Sequence, residues 1–236
     1  MQVTPSKFKI YYRLSDKGHR YGKPDFINVE NCLRNFCEHF DSNTITIIAD
    51  NCEDDTIAMV KKIVKSDNNI IRTSLGNSGA CLFTIQKAIE ENDDDTMVYL
   101  VEDDYLHVNG SYSVLREGFR VGDYITLYDH PDKYLDGGKP NPLVFGGGEE
   151  TKVLLTNKTH WKYTNSTTMT FATRVKILRE DYEIFIKYLK RKIPEDFQLF
   201  RELICHRKRK LVVSLPGRST HGQLPWLCPL TEWHKQ

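Results

Sequence analysis

The stretch Met97-Val98-Tyr99-Leu100-Val101-Glu102-Asp103-Asp104-Tyr105 constrains the fold of this chain more than any other. An unbroken apolar run ends in three consecutive carboxylates. Apolar residues on both faces predict a strand buried inside a parallel sheet. Open α/β sheets bind ligands beyond the carboxyl ends of such strands, where Glu102, Asp103 and Asp104 fall. Three adjacent acids repel one another, so a divalent cation is their natural partner. Hard oxygen ligands suit Mg²⁺ or Mn²⁺, ions that commonly bridge to phosphate oxygens. The other acidic run, Asp93-Asp94-Asp95, precedes the strand and is expected to face water.

The residues before this strand repeat one pattern. Residues 8–12 and 44–49 are β-rich runs, and 69–73 is a shorter one. Between them, Ile27, Leu33, Phe36 and Phe40, then Ile57, Val60, Ile63 and Val64, recur at helical spacing. Asp54 or Asp55 is placed to cap the second helix. Residues 75–79 read as a turn and 80–91 as a helix. Strands alternating with helices imply a parallel sheet flanked by helices. The later half is less regular. Strands are expected over 121–128, 164–173 and 211–215, and helices over 179–190 and from Pro194 to residue 205. Residues 129–148, rich in Pro and Gly, read as a loop long enough for a mobile lid with Gly146-Gly147-Gly148 as its hinge.

Composition narrows the function classes. Thirty-three basic and thirty-two acidic residues in 236 leave a formal charge of +1, which gives no support to nucleic-acid binding. Six cysteines show no CxxC pair or zinc-type spacing and are read as free thiols in a reducing compartment. The first residues lack the apolar stretch of a signal peptide, and no run approaches the roughly 18 apolar residues of a membrane span. A cytoplasmic protein is the expectation. The basic run His206-Arg207-Lys208-Arg209-Lys210 reads first as a solvated helix end, with peripheral contact to an anionic membrane surface as the alternative.

Further residues suit chemistry. In Pro194-Glu195-Asp196, Asp196 falls in the first turn of a helix, where an acid is favourable to the dipole and also rigid enough to act as a general base. His221 lies in a Gly/Ser/Thr-rich stretch, where Gly217 and Gly222 let the backbone approach a ligand. Its imidazole suits Mn²⁺ or Zn²⁺. Asp50, at a strand end, can accept hydrogen bonds from a nucleobase, and Asn77 offers an amide from the following turn. That turn has neither the GxGxxG nor the Walker spacing, which weakens dinucleotide oxidoreductase and ATPase readings. Trp161, Tyr163 and Trp226 are candidates for stacking on sugar faces.

In order, these pieces resemble the GT-A-fold glycosyltransferases of the family-2 type. The matching elements are the strand and loop of residues 8–15, Ile47-Ile48-Ala49-Asp50-Asn51, Gly76-Asn77-Ser78-Gly79, Glu102-Asp103-Asp104, Glu195-Asp196-x-x-Leu199 and Ser219-Thr220-His221-Gly222. The resemblance spans nearly the whole chain. It implies an α/β, GT-A-type (Rossmann-like) single domain over 1–236 with a mostly parallel central sheet flanked by helices. Residues 1–105 would bind a nucleotide-diphosphosugar, a UDP-sugar by expectation, and 106–236 a glycan or other hydroxyl acceptor. Donor contacts would come from Arg13, Ser15, Asp50, Asn77, Gly79, Glu102 and Asp103. Asp104 and His221 would hold Mn²⁺ or Mg²⁺. Asp196, beside Glu195, would take the acceptor proton and invert the anomeric carbon. Glu102 stands where the family's DxD motif has its first Asp, a departure that leaves its ribose or metal role undecided. A non-catalytic glycan- or nucleotide-sugar-binding module and a sugar nucleotidyltransferase are the competing readings.

Overall fold

The computed structural model describes residues 7–17, 22–65, 69–135 and 141–236. The apolar runs become the interior strands β1 (Phe8–Leu14), β2 (Ile45–Asp50) and β4 (Met97–Glu102), with β3 (Ile70–Thr73) at the edge. They pair in parallel in the order β3-β2-β1-β4. The connections between them carry α1 (Val29–His39), α2 (Asp54–Val64) and α3 (Gly76–Glu91). Strand side chains alternate between faces, so Ile10, Tyr12 and Leu14 join one core with Phe36 and Val60. Tyr11, Val98 and Leu100 join a second core with Ile85, Leu178 and Phe200 on the opposite face. Burial on both faces is why these strands lack the polar alternation of a half-exposed sheet.

The second half adds β5 (Tyr105–His107), α4 (Ser111–Gly118), β6 (Tyr124–Thr126), β7 (Val153–Leu155), β8 (His160–Tyr163) and β9 (Phe171–Arg174). Helices α5 (Val175–Tyr188) and α6 (Asp196–Cys205) follow, then β10 (Leu211–Leu215) and β11 (Ser219–His221). The large sheet continues from β4 as β9-β6-β10-β8-β7. Here β9 runs antiparallel to both β4 and β6, β10 is parallel to β6, and β8 is antiparallel to β10 and β7. Strands β5 and β11 form a separate two-stranded sheet. The fold is α/β with helices on both faces, as the sequence implies, and its continuous parallel ladder lies in the first half.

Several local expectations change. The strand expected over 164–173 shrinks to Phe171–Arg174, because Thr164, Ser166, Thr167 and Thr170 are buried and bond through their side chains instead of extending a ladder. Glu53, not Asp54 or Asp55, is the N-cap of α2; both aspartates lie in the first turn, where they favour the dipole. The turn at 75–79 is the opening of α3 itself, with Gly76 at φ +74°. Trp161 is fully buried and its indole N–H donates to Thr156 Oγ1 at 3.0 Å, so it is core rather than a sugar platform. All six cysteines are free. No helix among the described residues is long and apolar enough to cross a membrane.

The 129–148 segment is fastened at its base. Lys162 Nζ lies 3.2 Å from Asp129 Oδ1, and Lys133 Nζ lies 3.2 Å from Asp132 Oδ1 while donating to Ser166 Oγ at 2.7 Å. These groups are buried, so their pairing is obligatory once the segment is in place. Gly146 and Gly147 hold positive φ angles of 66° and 84°, a backbone region that favours glycine. The central part of the expected lid, residues 136–140, lies outside the described residues.

Asp50 joins the sheet to α3. Its carboxylate accepts from Leu75 N at 2.6 Å, Gly76 N at 3.0 Å and Thr73 Oγ1 at 2.8 Å. These amides belong to the helix entry and lack intrahelical partners, so the carboxylate supplies a cap from a distant strand. Asp50→Ala leaves buried donors unpaired and is expected to lower unfolding free energy by roughly 2–3 kcal/mol. Urea unfolding checks this; Asp50→Asn should lose less.

Candidate active site

Register places the acids. In the parallel β1–β4 pair Arg13 lies opposite Glu102, and Arg13 Nη2 donates to Glu102 Oε1 at 2.7 Å. The same guanidinium reaches Asn77 Oδ1 at 2.5 Å and the Asn77 carbonyl at 3.1 Å. The Arg13 and Glu102 side chains are only 10% and 22% exposed, so this pair is screened far less than a surface ion pair. Thr170 Oγ1 accepts from Glu102 N at 3.1 Å and donates to Oε2 at 3.4 Å. Sheet geometry thus fixes Glu102 on two sides.

Asp103 turns toward the first loop, where its Oδ2 accepts from Ser15 N at 2.8 Å. Burial pushes its carboxyl above the usual range, and the negative charge of Asp104 adds to the rise. Asp104 behaves oppositely. Burial works against its charge, but His221 and Lys23 outweigh that and hold it well below the ordinary carboxylate range. Lys23 Nζ and His221 Nε2 lie 2.9 and 3.2 Å from the same oxygen, Asp104 Oδ2. The imidazole is correspondingly shifted up: burial opposes its charge, and the Asp104 carboxylate prevails.

The short β5–β11 sheet creates this contact. Tyr105 pairs with His221 in register, which sets the imidazole beside the residue preceding Tyr105. The Tyr105 ring stacks on His221 with centroids 5.1 Å apart. Gly222 N then donates to the Asp104 carbonyl at 2.8 Å. A Cβ on Gly222 would lie 2.4 Å from Ile27 Cγ2, so glycine here is required by close approach.

Asp196 opens α6, and its Oδ1 accepts from Phe197 N at 2.8 Å. Burial raises its pKa to about 6; the Phe197 N–H opposes this, Glu102 adds to it, and His221 and Lys133 pull it down. Those influences place the acid within electrostatic reach of the cluster. Its neighbour Glu195 is instead paired with Arg191 at 2.8 Å across one helical turn's spacing. Of the two acids, Asp196 is the one whose proton affinity Glu102 and His221 influence.

A cleft of about 440 Å³ runs along the sheet edge. Arg13, Ser15, Asp50, Asn77, Glu102, Asp103 and Asp104 line it, together with Lys17, Lys192 and Ile193. At the α3 entry the wall is Gly76, Asn77 and Ala80 rather than Gly79, whose added Cβ would meet Leu75 Cβ at 3.0 Å. Asp50 reaches the cleft, but its lone pairs already serve the helix entry and Asn51 Nδ2 at 2.7 Å. Sequence reasoning missed Lys23, Lys17, Lys192 and Thr170. Lys23 stands in a Gly-Lys-Pro loop, and nothing local marks which acid it will meet.

The fit of a divalent ion can be judged from the donors. Among the described residues no group of three His, Cys, Asp or Glu side chains is poised to hold a metal. Asp104 and His221 nevertheless converge, and the Lys23 ammonium is a stand-in cation on their shared oxygen. One carboxylate completed by diphosphate oxygens and water matches the habit of Mg²⁺, and the added imidazole favours Mn²⁺. The pair fits an ion held jointly with substrate.

No protein-family model and no curated protein sequence matches the chain. Solved structures do resemble it. The structure of GalNAc-T7 with UDP, GalNAc and Mn²⁺ aligns with a TM-score of 0.58 at 13% identity, over 94% of this chain and 45% of that one. A cytidylyltransferase from Leptospira borgpetersenii serovar Hardjo-bovis (strain JB197) aligns with a TM-score of 0.51 at 9% identity, over 95% and 82%. The chain therefore spans less than half the length of the GalNAc-T7 chain. At these identities the likeness is one of architecture, and the architecture is the GT-A type.

Proposed function

We propose that this chain moves a sugar from a nucleotide-diphosphosugar to an acceptor hydroxyl. The observation that carries the reading is the convergence of Glu102, Asp103 and Asp104 at one cleft, with His221 against Asp104 and with Asp196 under the influence of Glu102 and His221. A UDP-sugar is the expected donor, since the GalNAc-T7 structure that shares this fold holds UDP and Mn²⁺. Residues 1–105 carry the donor half of the cleft and residues 106–236 the acceptor half.

The chemistry follows from charge. The acceptor oxygen attacks the anomeric carbon, the carbon–oxygen bond to the diphosphate breaks, and that electron pair stays on the departing phosphate. Lys17 and Lys192 line the cleft and offer positive charge to the diphosphate. Arg13, held by Glu102 and Asn77, stiffens the floor beneath it. Asp104 and His221 would hold Mn²⁺ or Mg²⁺, whose bound charge stabilises the leaving diphosphate as a Lewis acid. Asp196 accepts the acceptor's proton; attack opposite the leaving group inverts the anomeric centre. Burial suits Asp196 to this role, because a base works best with a pKa near the operating pH. Tyr128, His130 and Trp226 run in ring contact from His221, and Trp226 is the aromatic residue best placed to meet an acceptor.

A second reading has its own support. The cytidylyltransferase match covers 82% of that chain, so transfer of a nucleotidyl group to a sugar phosphate is the alternative within the same architecture. The products separate them. Incubation with a panel of UDP-sugars and Mn²⁺ is expected to release nucleoside diphosphate. Pyrophosphate release from a nucleoside triphosphate and a sugar phosphate would establish the alternative, and ligand stabilisation without turnover would mark a binding module.

The role of Asp196 is tested by pH. Only its deprotonated form accepts a proton, so kcat/KM is expected to rise with pH and level off, with a midpoint near the Asp196 pKa of about 6. Asp196→Asn should lower kcat by about 10²–10⁴-fold and leave UDP binding intact. Full activity in that variant excludes Asp196 as the base.

A further inference from the structure

Beside His221, the positive charge facing Asp104 comes from a lysine that the sequence does not connect with the acidic triplet. Lys23 Nζ sits 2.9 Å from Asp104 Oδ2, the oxygen that also faces His221 Nε2 at 3.2 Å. All three side chains are below one-fifth exposed. The loop bearing Lys23 is fastened to the segment that follows His221: Leu224 N donates to the Gly22 carbonyl at 3.0 Å, and Ile27 packs where a Gly222 Cβ would be. The loop that carries the ammonium is therefore anchored beside this oxygen, unlike a lysine on a free surface.

A lysine and a divalent ion cannot share this place. Both seek the same carboxylate oxygen, and the approach of a doubly charged ion to a shielded ammonium is repulsive. Resting on the reading of Asp104 and His221 as metal-holding residues, we propose that Lys23 is a built-in competitor for the cation seat. It compensates Asp104 in the resting site and is displaced weakly by metal alone and readily when metal arrives with a diphosphate. Displacement sends the ammonium toward new negative charge, and the diphosphate supplies it. Metal and nucleoside diphosphate then bind cooperatively, each weakly alone, as reciprocal linkage requires.

The test measures Mn²⁺ binding by electron paramagnetic resonance titration of the full chain, with and without UDP, independently of turnover. Wild type is expected to bind Mn²⁺ weakly alone and at least about tenfold more tightly with UDP. Lys23→Met removes the competing charge while keeping the apolar stem, and should tighten Mn²⁺ binding without UDP by about tenfold. The gap between the two conditions should narrow. Lys23→Arg retains the charge and should resemble wild type, which separates competition from a general packing effect. Lys23→Met/Asp104→Ala should lose the gain, locating it at this carboxylate. Unchanged or weaker Mn²⁺ binding in a Lys23→Met protein with a wild-type melting curve overturns the proposal. The nucleotide-sugar reading fails differently: neither UDP nor any UDP-sugar would bind or be hydrolysed in any variant, whatever Lys23→Met does to Mn²⁺.

Discussion

Three carboxylates at the end of one buried strand form the constraint around which the rest of this structure is arranged. Adjacent negative charges in a partly desolvated place are tolerated only when each finds its own compensation. The fold provides three different solutions. Glu102 takes the guanidinium of Arg13 from the neighbouring strand. Asp103 takes only a backbone amide, and burial beside the Asp104 charge raises its proton affinity despite that contact. Asp104 takes an ammonium and an imidazole, and its proton affinity falls. Three residues identical in charge thus acquire three distinct electrostatic characters.

The architecture divides its labour accordingly. The parallel strands β1, β2 and β4 deliver their ends to one edge, where Arg13, Asp50 and Glu102 meet α3. The mixed half supplies what the parallel half lacks. Antiparallel β9 brings Thr170 against Glu102, the β5–β11 pair brings His221 to Asp104, and α6 starts with Asp196. Behind them, Lys133 and Lys162 pair with Asp132 and Asp129 in the interior of the second half. Removing one partner of such a pair leaves an uncompensated buried charge, so the network holds the chain in one arrangement around the site.

The long, strongly patterned elements were legible. Strands β1, β2 and β4 and helices α1 and α2 follow from apolar runs and helical periodicity to within a few residues. Strands of three or four residues, such as β5, β7 and β11, carry too few positions for a period to register. The polar tract at 164–170 looked β-prone from its threonines, yet those hydroxyls bond to side chains on other elements. Aromatic residues were ambiguous for the same reason: Trp161 is core and Trp226 is half-buried beside His130, a distinction that composition does not encode.

The acidic triplet, its place at a strand end and the helix-opening Asp196 were determined by the sequence alone, because local order decides which residues follow a buried run. What the tertiary structure decided is the partner of each charge. Arg13 meets Glu102 through strand register, His221 meets Asp104 through an antiparallel pairing of strands more than one hundred residues apart in sequence, and Lys23 arrives from a loop. Electrostatic interaction depends on distance in space, which chain position does not specify until the sheet has closed.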